Sequence, residues 1–213
     1  NKINDNEMNN LSNQLISSGI LKRGGICLLI AAFMGIFSKK SFKINMLSLQ
    51  IPIIFFQLLA INPLFGLIDT NRQLPLRDAS KFIISSRKSN EPIAMVGIEK
   101  PSIHFYTNEV ILYESNTNVN VINLSERLSH EKRIGWRGHQ IGSSKSPNTV
   151  LILIDNATSK LRHWDLLNPK KLGAFGIYNV WRVDILKLQE IANKFKKEYN
   201  LKSSWTKYDP ERY

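Results

Sequence analysis

The chain has 213 residues, 29 Lys and Arg against 17 Asp and Glu, and a formal net charge of +12. Its single cysteine, Cys27, excludes an internal disulfide framework and a cysteine-based metal site within one chain. The basic balance favours anionic partners such as lipid headgroups, phosphate-bearing substrates or nucleic acid, and it fits equally a merely lysine-rich solvated surface.

Residues 1–23 form a polar, Asn-rich lead-in ending in Lys22 and Arg23. The chain starts at Asn1, without an apolar segment of the kind that opens a secretory signal, and reads as a fragment or processed product. Residues 24–68 are strongly apolar. Gly24 to Phe37 carries no charge, Lys39, Lys40 and Lys43 interrupt, and Ile44 to Ile68 is a second uncharged run of 25 residues. As a helix the second run reaches roughly 37 Å at about 1.5 Å per residue. A bilayer core is about 30 Å thick, so this run is long enough to span. Pro52, Gln57, Asn62 and Pro63 within it fit a lipid-embedded helix whose neighbours satisfy the freed backbone groups. The candidate spans are 24–38 and 44–68, the first being either a tilted span or a re-entrant piece. The basic link between the runs favours the cytoplasmic side, which puts the chain after Ile68 outside the cytoplasm, although Lys22, Arg23, Arg72 and Arg77 dilute that vote.

Residues 69–213 have an ordinary globular composition, with 23 Lys and Arg against 15 Asp and Glu. Leu76–Arg87 predicts a helix. Ile93–Val96, between Pro92 and Gly97, predicts a buried strand by its length and flanks. Pro101 opens a helix carrying Ser102 to Tyr106, and Val110–Tyr113 is the next strand. Val121–Leu128 reads as a strand turning into a short helix. Val150–Ile154 is the clearest buried strand, and Ala174–Val183 is strand-like. Asp184 caps a last helix whose apolar face is Ile185, Leu188, Ile191, Ala192 and Phe195. Alternating strands and helices predict a small three-layer α/β domain with a mainly parallel sheet.

No nucleophile elbow, P-loop, dinucleotide fingerprint or zinc-protease motif occurs, and no recognised nucleic-acid-binding motif. His104, His130, His139 and His163 lack metal-ligand spacing and read as surface or helix-end residues, so no metal and no cofactor is expected. Asp155, Asp165 and Asp184 fall near strand ends. Two segments carry candidate binding residues. In IAMVGIEKPSIHFYTNEVILYES, Ile93–Ser115, Lys100 and Ser102 stand at a helix start able to receive a phosphate or other anion; the same pattern also fits an ordinary helix start beside a solvated lysine. In DTNRQLPLRDA, Asp69–Ala79, Arg72 and Arg77 follow the long apolar run and would meet lipid phosphates, or serve as generic interfacial anchors.

The run RQLPLRDA followed by AMVGIEKPSIHFYTNEVILYE, behind a membrane helix, resembles the C-terminal region of bacterial glycosyltransferase family 39, the aminoarabinose-transferase and protein O-mannosyltransferase-like enzymes. The likeness is greatest to the cyanobacterial branch, covers residues 44–115, and thins beyond Asn116. It implies a multi-spanning enzyme of the GT-C type in the plasma membrane. Such an enzyme moves a sugar from a polyprenyl-phosphate donor to a lipid or protein acceptor outside the cytoplasm. The partners it implies are that donor, membrane lipids and the further transmembrane helices of a longer protein. The family's catalytic carboxylate lies in a first outer loop that this chain lacks, so no residue here inherits that role. The competing reading is a membrane-tethered module that binds anionic lipid or polymer without chemistry.

Overall fold

A computed structural model describes Met8 and residues 11–37, 50–134 and 147–204. The chain divides into two compact units, Asn1–Leu74 and Pro75–Tyr213.

The first unit is helical: α1 (Leu11–Ser17), α2 (Ile20–Phe37) and α3 (Gln50–Arg72). Gly19, in the left-handed region at φ +69°, sits at the 60° bend between α1 and α2. There Arg23 Nη2 donates to Ser18 O at 2.6 Å and holds the bend. The helix α3 widens into a π-turn at Gln57–Ile61, where Asn62 N–H reaches Gln57 O. Pro63 explains the widening, because it has no N–H for the carbonyl one turn back and its ring would strike that carbonyl in a regular helix. A β-carbon on Gly24 would lie 3.1 Å from Ala60 Cβ and 3.3 Å from Phe56, so small residues let α2 and α3 approach closely. Asn71 Nδ2 donates to Gln14 Oε1 at 2.6 Å and ties α3 to α1.

The 23 residues of α3 give roughly 34 Å, enough to cross a bilayer core. Only 11% of its most apolar window is buried. Ile51, Ile53, Ile54, Phe55, Leu58 and Phe65 are more than half exposed. A core helix of a soluble protein buries such residues, and this one leaves them exposed among the described residues. Helix α2 starts a turn before the first charge-free stretch at Gly24, α3 ends a turn beyond Ile68, and residues 38–49, with Lys39, Lys40 and Lys43, lie outside the described residues.

The second unit begins with α4 (Leu74–Ser86, one residue of which belongs to the first unit). It continues through β1 (Ile93–Gly97), α5 (Ser102–Thr107), β2 (Ile111–Ser115), α6 (Asn120–Ile134) and β3 (Thr149–Asp155). A 3-10 turn at Thr158–Lys160, the short α7 (Arg162–Asp165), the strands β4 (Lys170–Phe175) and β5 (Tyr178–Asp184), and α8 (Ile185–Glu198) complete it. The sheet order is β2-β1-β3-β5-β4. Strands β2, β1 and β3 are parallel, and β5 runs against both β3 and β4, so four of the five point one way.

Alternation along each strand sorts the core into two layers. Ile93, Met95, Leu151, Leu153, Tyr178 and Val180 pack with Leu76, Ala79 and Ile83 of α4 and Ile103 of α5. Ala94, Val96, Val150, Ile152, Ile154 and Trp181 pack on the other face with Val121, Leu124 and Leu128 of α6 and Leu188 and Ala192 of α8. This is the predicted three-layer α/β arrangement with a mainly parallel sheet. Asp184 caps α8 as read from sequence, its Oδ1 accepting from Leu186 N at 2.8 Å and Lys187 N at 3.3 Å.

Two elements differ from the sequence reading. Val121–Leu128 is helix throughout, because Val121, Leu124 and Leu128 share one buried face at helical spacing and that face outweighs the β-branched Val-Ile opening. Ala174–Val183 is not one strand but parts of a hairpin. Gly176, at φ +57°, makes its two-residue turn, and a β-carbon there would lie 2.9 Å from Pro75. The strand β4 is an edge strand that opens with the exposed Lys170 and Lys171, and charge on an edge deters pairing with other chains.

Candidate functional site

In sheets of this kind, ligands gather outside the carboxyl ends of the parallel strands, where successive connections leave to opposite faces. Here the chain leaves β1 for α5 on one face, and α6 carries it from β2 across the other face to β3, which makes the β1–β3 edge the point of divergence. Gly97 closes β1 at φ +95° and lies against Asp155 at the end of β3. Asp155 is buried and fully engaged. Its Oδ1 accepts from Ala157 N at 2.8 Å and Thr158 N at 3.0 Å, and its Oδ2 accepts from Thr158 Oγ1 at 2.6 Å. These bonds shape the loop after β3.

Across β1 from β3, the end of β2 holds a second buried carboxylate. Glu114 Oε1 receives Arg127 Nη1 at 2.8 Å, and Oε2 receives Asn123 Nδ2 at 3.2 Å. Asn123 Oδ1 in turn accepts from Ser203 Oγ and Ser204 N, which draws the chain after α8 across this end of the domain. Burial pushes the Glu114 carboxyl above its ordinary value, Arg127 and Asn123 pull it back only in part, and the negative charge of Glu99 adds to the rise.

The sequence-derived candidates separate. Lys100 and Ser102 share the turn that leaves β1, with Lys100 O accepting Ile103 N at 3.0 Å, and both are half-buried. The helix they open, α5, has six residues, so few aligned peptide dipoles stand behind its first amides. Arg77, on α4, has its guanidinium carbon 5.8 Å from the centre of the Tyr106 ring, a cation–π contact. The neighbouring Phe105 ring is 83% exposed and meets Tyr106 edge-on at 6.1 Å. Arg72, exposed, lies in the last turn of α3 in the first unit.

One polar feature has no counterpart in the sequence reading. A pocket of about 530 Å³ opens beside the carboxyl end of β3. Asn156, Lys160, Asp165, Asn168, Lys171 and Trp181 contribute to its wall. They come from the loop after β3, the end of α7, the loop that follows, and the hairpin. No spacing pattern links such residues, and none belongs to a catalytic motif, so sequence alone offered no signal. Among the described residues no three His, Cys, Asp or Glu side chains group as metal ligands.

His163 corrects the expectation of a surface histidine, since it is buried. Its Nε2 lies 2.9 Å from Asn120 Oδ1, which also accepts Trp164 Nε1 at 3.1 Å. The carbonyl oxygen requires Nε2–H on the imidazole, and the Phe195 ring packs edge-on at 5.6 Å. Burial holds the His163 pKa below its ordinary value. The unfolded chain therefore takes up the proton first, and stability is full above about pH 6.5 and falls as pH drops below it. Glu91 acts lower. Burial alone would raise its pKa, but bonds from Arg182, Lys88 N–H and Thr149 outweigh burial and hold it below 4.5, so its contribution is present above that pH and lost below it. Glu114 opposes both, because its raised pKa lets protonation on acidification relieve a buried charge. Thermal melting of the chain between pH 7.5 and 5.5 should show a decline that His163→Gln flattens.

The fold defines a three-layer α/β domain that follows a helix long and apolar enough to cross a membrane. The sequence matches the family of cyanobacterial RgtA-type glycosyltransferases, C-terminal domain, over residues 86–199, more than half of the chain, and the chain belongs to that family. No curated protein and no solved structure matches it. The match starts after RQLPLRDA and runs well beyond Asn116, so it covers the part of the α/β domain where the resemblance had thinned.

Proposed function

We propose that this chain is the C-terminal part of an integral membrane glycosyltransferase that moves a sugar from a polyprenyl-phosphate donor to a lipid or protein acceptor. In this reading the protein is multi-pass in the plasma membrane, its α/β domain lies on the extracytoplasmic side, and a loop outside these residues supplies the catalytic carboxylate. The observation that carries the reading is the family match over residues 86–199 behind the lipid-length, largely exposed helix α3. The basic link between the apolar runs supports the orientation. A surplus of eight positive charges after Ile68 provides long-range attraction for a phosphate head held at the interface, and Arg72, Arg77, Lys100 and Ser102 are the proposed contacts. Membranes from cells expressing the intact gene, supplied with radiolabelled polyprenyl-phosphate sugars, should incorporate label into lipid or protein. Incorporation from a nucleotide sugar when no polyprenyl phosphate is present would contradict the reading.

A second reading, a tethered module that binds anionic lipid, is favoured by the exposed Phe105 beside the Arg77–Tyr106 pair, an apolar tip next to a cation. Flotation of residues 69–213, without α3, on vesicles should then require anionic lipid, weaken with salt, and fall in Phe105→Ala. Equal flotation on neutral vesicles removes this reading.

A further inference from the structure

We infer that the crevice between α2 and α3 holds one acyl chain of an anionic phospholipid, with the lipid phosphate on Arg23. Ile26, Ile30 and Met34 of α2 and Ile51, Phe55 and Leu59 of α3 line it, and Arg23 is the one charged residue of its wall. Ile26, Ile30, Ile51 and Phe55 are 48–55% exposed, so the crevice stands open among the described residues. Arg23 lies where the charge-free run of α2 begins, the position from which basic side chains reach lipid headgroups. Its Nη2 donates to Ser18 O, a neutral partner, and neither α1 nor α2 carries an acidic residue to balance its charge. From Arg23 to Met34 the crevice follows α2 for about 16 Å, at about 1.5 Å per residue. That is close to half of the roughly 30 Å hydrocarbon core, the depth of one leaflet. A phospholipid chain ends within its leaflet, whereas a polyprenyl tail of many isoprene units overruns it. The volume, about 370 Å³, suits a slim chain. A helix of the same length, about 10 Å across, takes roughly 1,300 Å³, so a third helix can cover the crevice without filling it.

The inference rests on the reading that α3 lies in lipid, and the site takes no part in sugar transfer. The test uses the full chain, purified from membranes in mild detergent, with bound lipid read by native mass spectrometry. The chain should retain one phosphatidylglycerol. After stripping, it should rebind that lipid saturably and about tenfold more tightly than phosphatidylcholine of the same chain length, the scale of one charge-assisted contact. Arg23→Gln should abolish this preference, and Arg23→Lys, which keeps the charge, should retain it. Ile30→Trp fills the crevice, leaves Arg23 in place, and should weaken the binding of both lipids. The inference is overturned if phosphatidylcholine binds as well as phosphatidylglycerol, or if Ile30→Trp binds normally. It is also overturned if a polyprenyl phosphate outcompetes phosphatidylglycerol at Arg23, or if the chain is a lipid-free dimer with a second copy over the crevice. Any of these results in a chain that resists alkaline extraction from the membrane removes the site alone, whereas release on extraction removes the reading beneath it.

Discussion

Glu91→Ala should lower the stability of the α/β domain by about 3–5 kcal/mol, the cost of stranding a buried charge. Glu91 is 1% exposed and lies in the segment between α4 and β1. Its two carboxylate oxygens take Arg182 Nε at 2.8 Å and Nη2 at 3.0 Å, a bidentate pair. Thr149 Oγ1 and Lys88 N–H also donate to it, and Arg182 reaches Ser86 O as well. One carboxylate thus joins the end of α4, the approach to β1, the start of β3 and the middle of β5. Truncating it leaves a guanidinium whose side chain is 14% exposed without its counter-charge. The double variant Glu91→Ala/Arg182→Ala should cost less than the two single losses together, since the second truncation removes the stranded charge. Urea unfolding of the chain in detergent measures both. A single-variant loss below about 1 kcal/mol would match a surface ion pair rather than this one.

Gly97→Ala should also cost about 3–5 kcal/mol, combining overpacking with a backbone conformation that L side chains avoid. At φ +95° an alanine β-carbon would lie 1.8 Å from Asp155 Oδ2 and 2.4 Å from Thr158 Oγ1. Neither atom can yield easily. Asp155 is held by two backbone amides and a hydroxyl, and moving it unmakes the loop that starts toward the pocket. Gly66→Ala is the control, because its added methyl meets nothing within 4 Å. Melting of Gly97→Ala within a degree or two of wild type would show that the β1–β3 edge is looser than this geometry. If the variant is too unstable to purify, a lowered yield against Gly66→Ala at equal expression carries the same result.

The parts of this architecture legible in sequence are those written locally. The strands β1 and β3 are short apolar runs between turn residues, and α8 announces itself by Asp184 and one apolar face. The helix α3 follows from a charge-free stretch too long for a small soluble core. The opening of α5 at Pro101 was likewise readable, and it places Lys100 and Ser102 in one turn. What was not legible depends on residues far apart in the chain. Glu91 and Arg182 are 91 positions apart, and nothing near either names the other. The strand β4 opens with two exposed lysines on an edge, so its first half resembles a loop. His163 looked like a surface residue because its burial is created by Asn120 and Phe195, from α6 and α8. The pocket is invisible for the same reason, being assembled from segments that meet only after the sheet has formed.

Alkaline carbonate extraction of membranes from cells expressing this chain asks whether α3 and its neighbours lie in lipid. The account predicts that the protein stays with the membrane pellet at high pH and leaves it only on addition of detergent. Release of a folded, detergent-free, monomeric protein into the supernatant would contradict it.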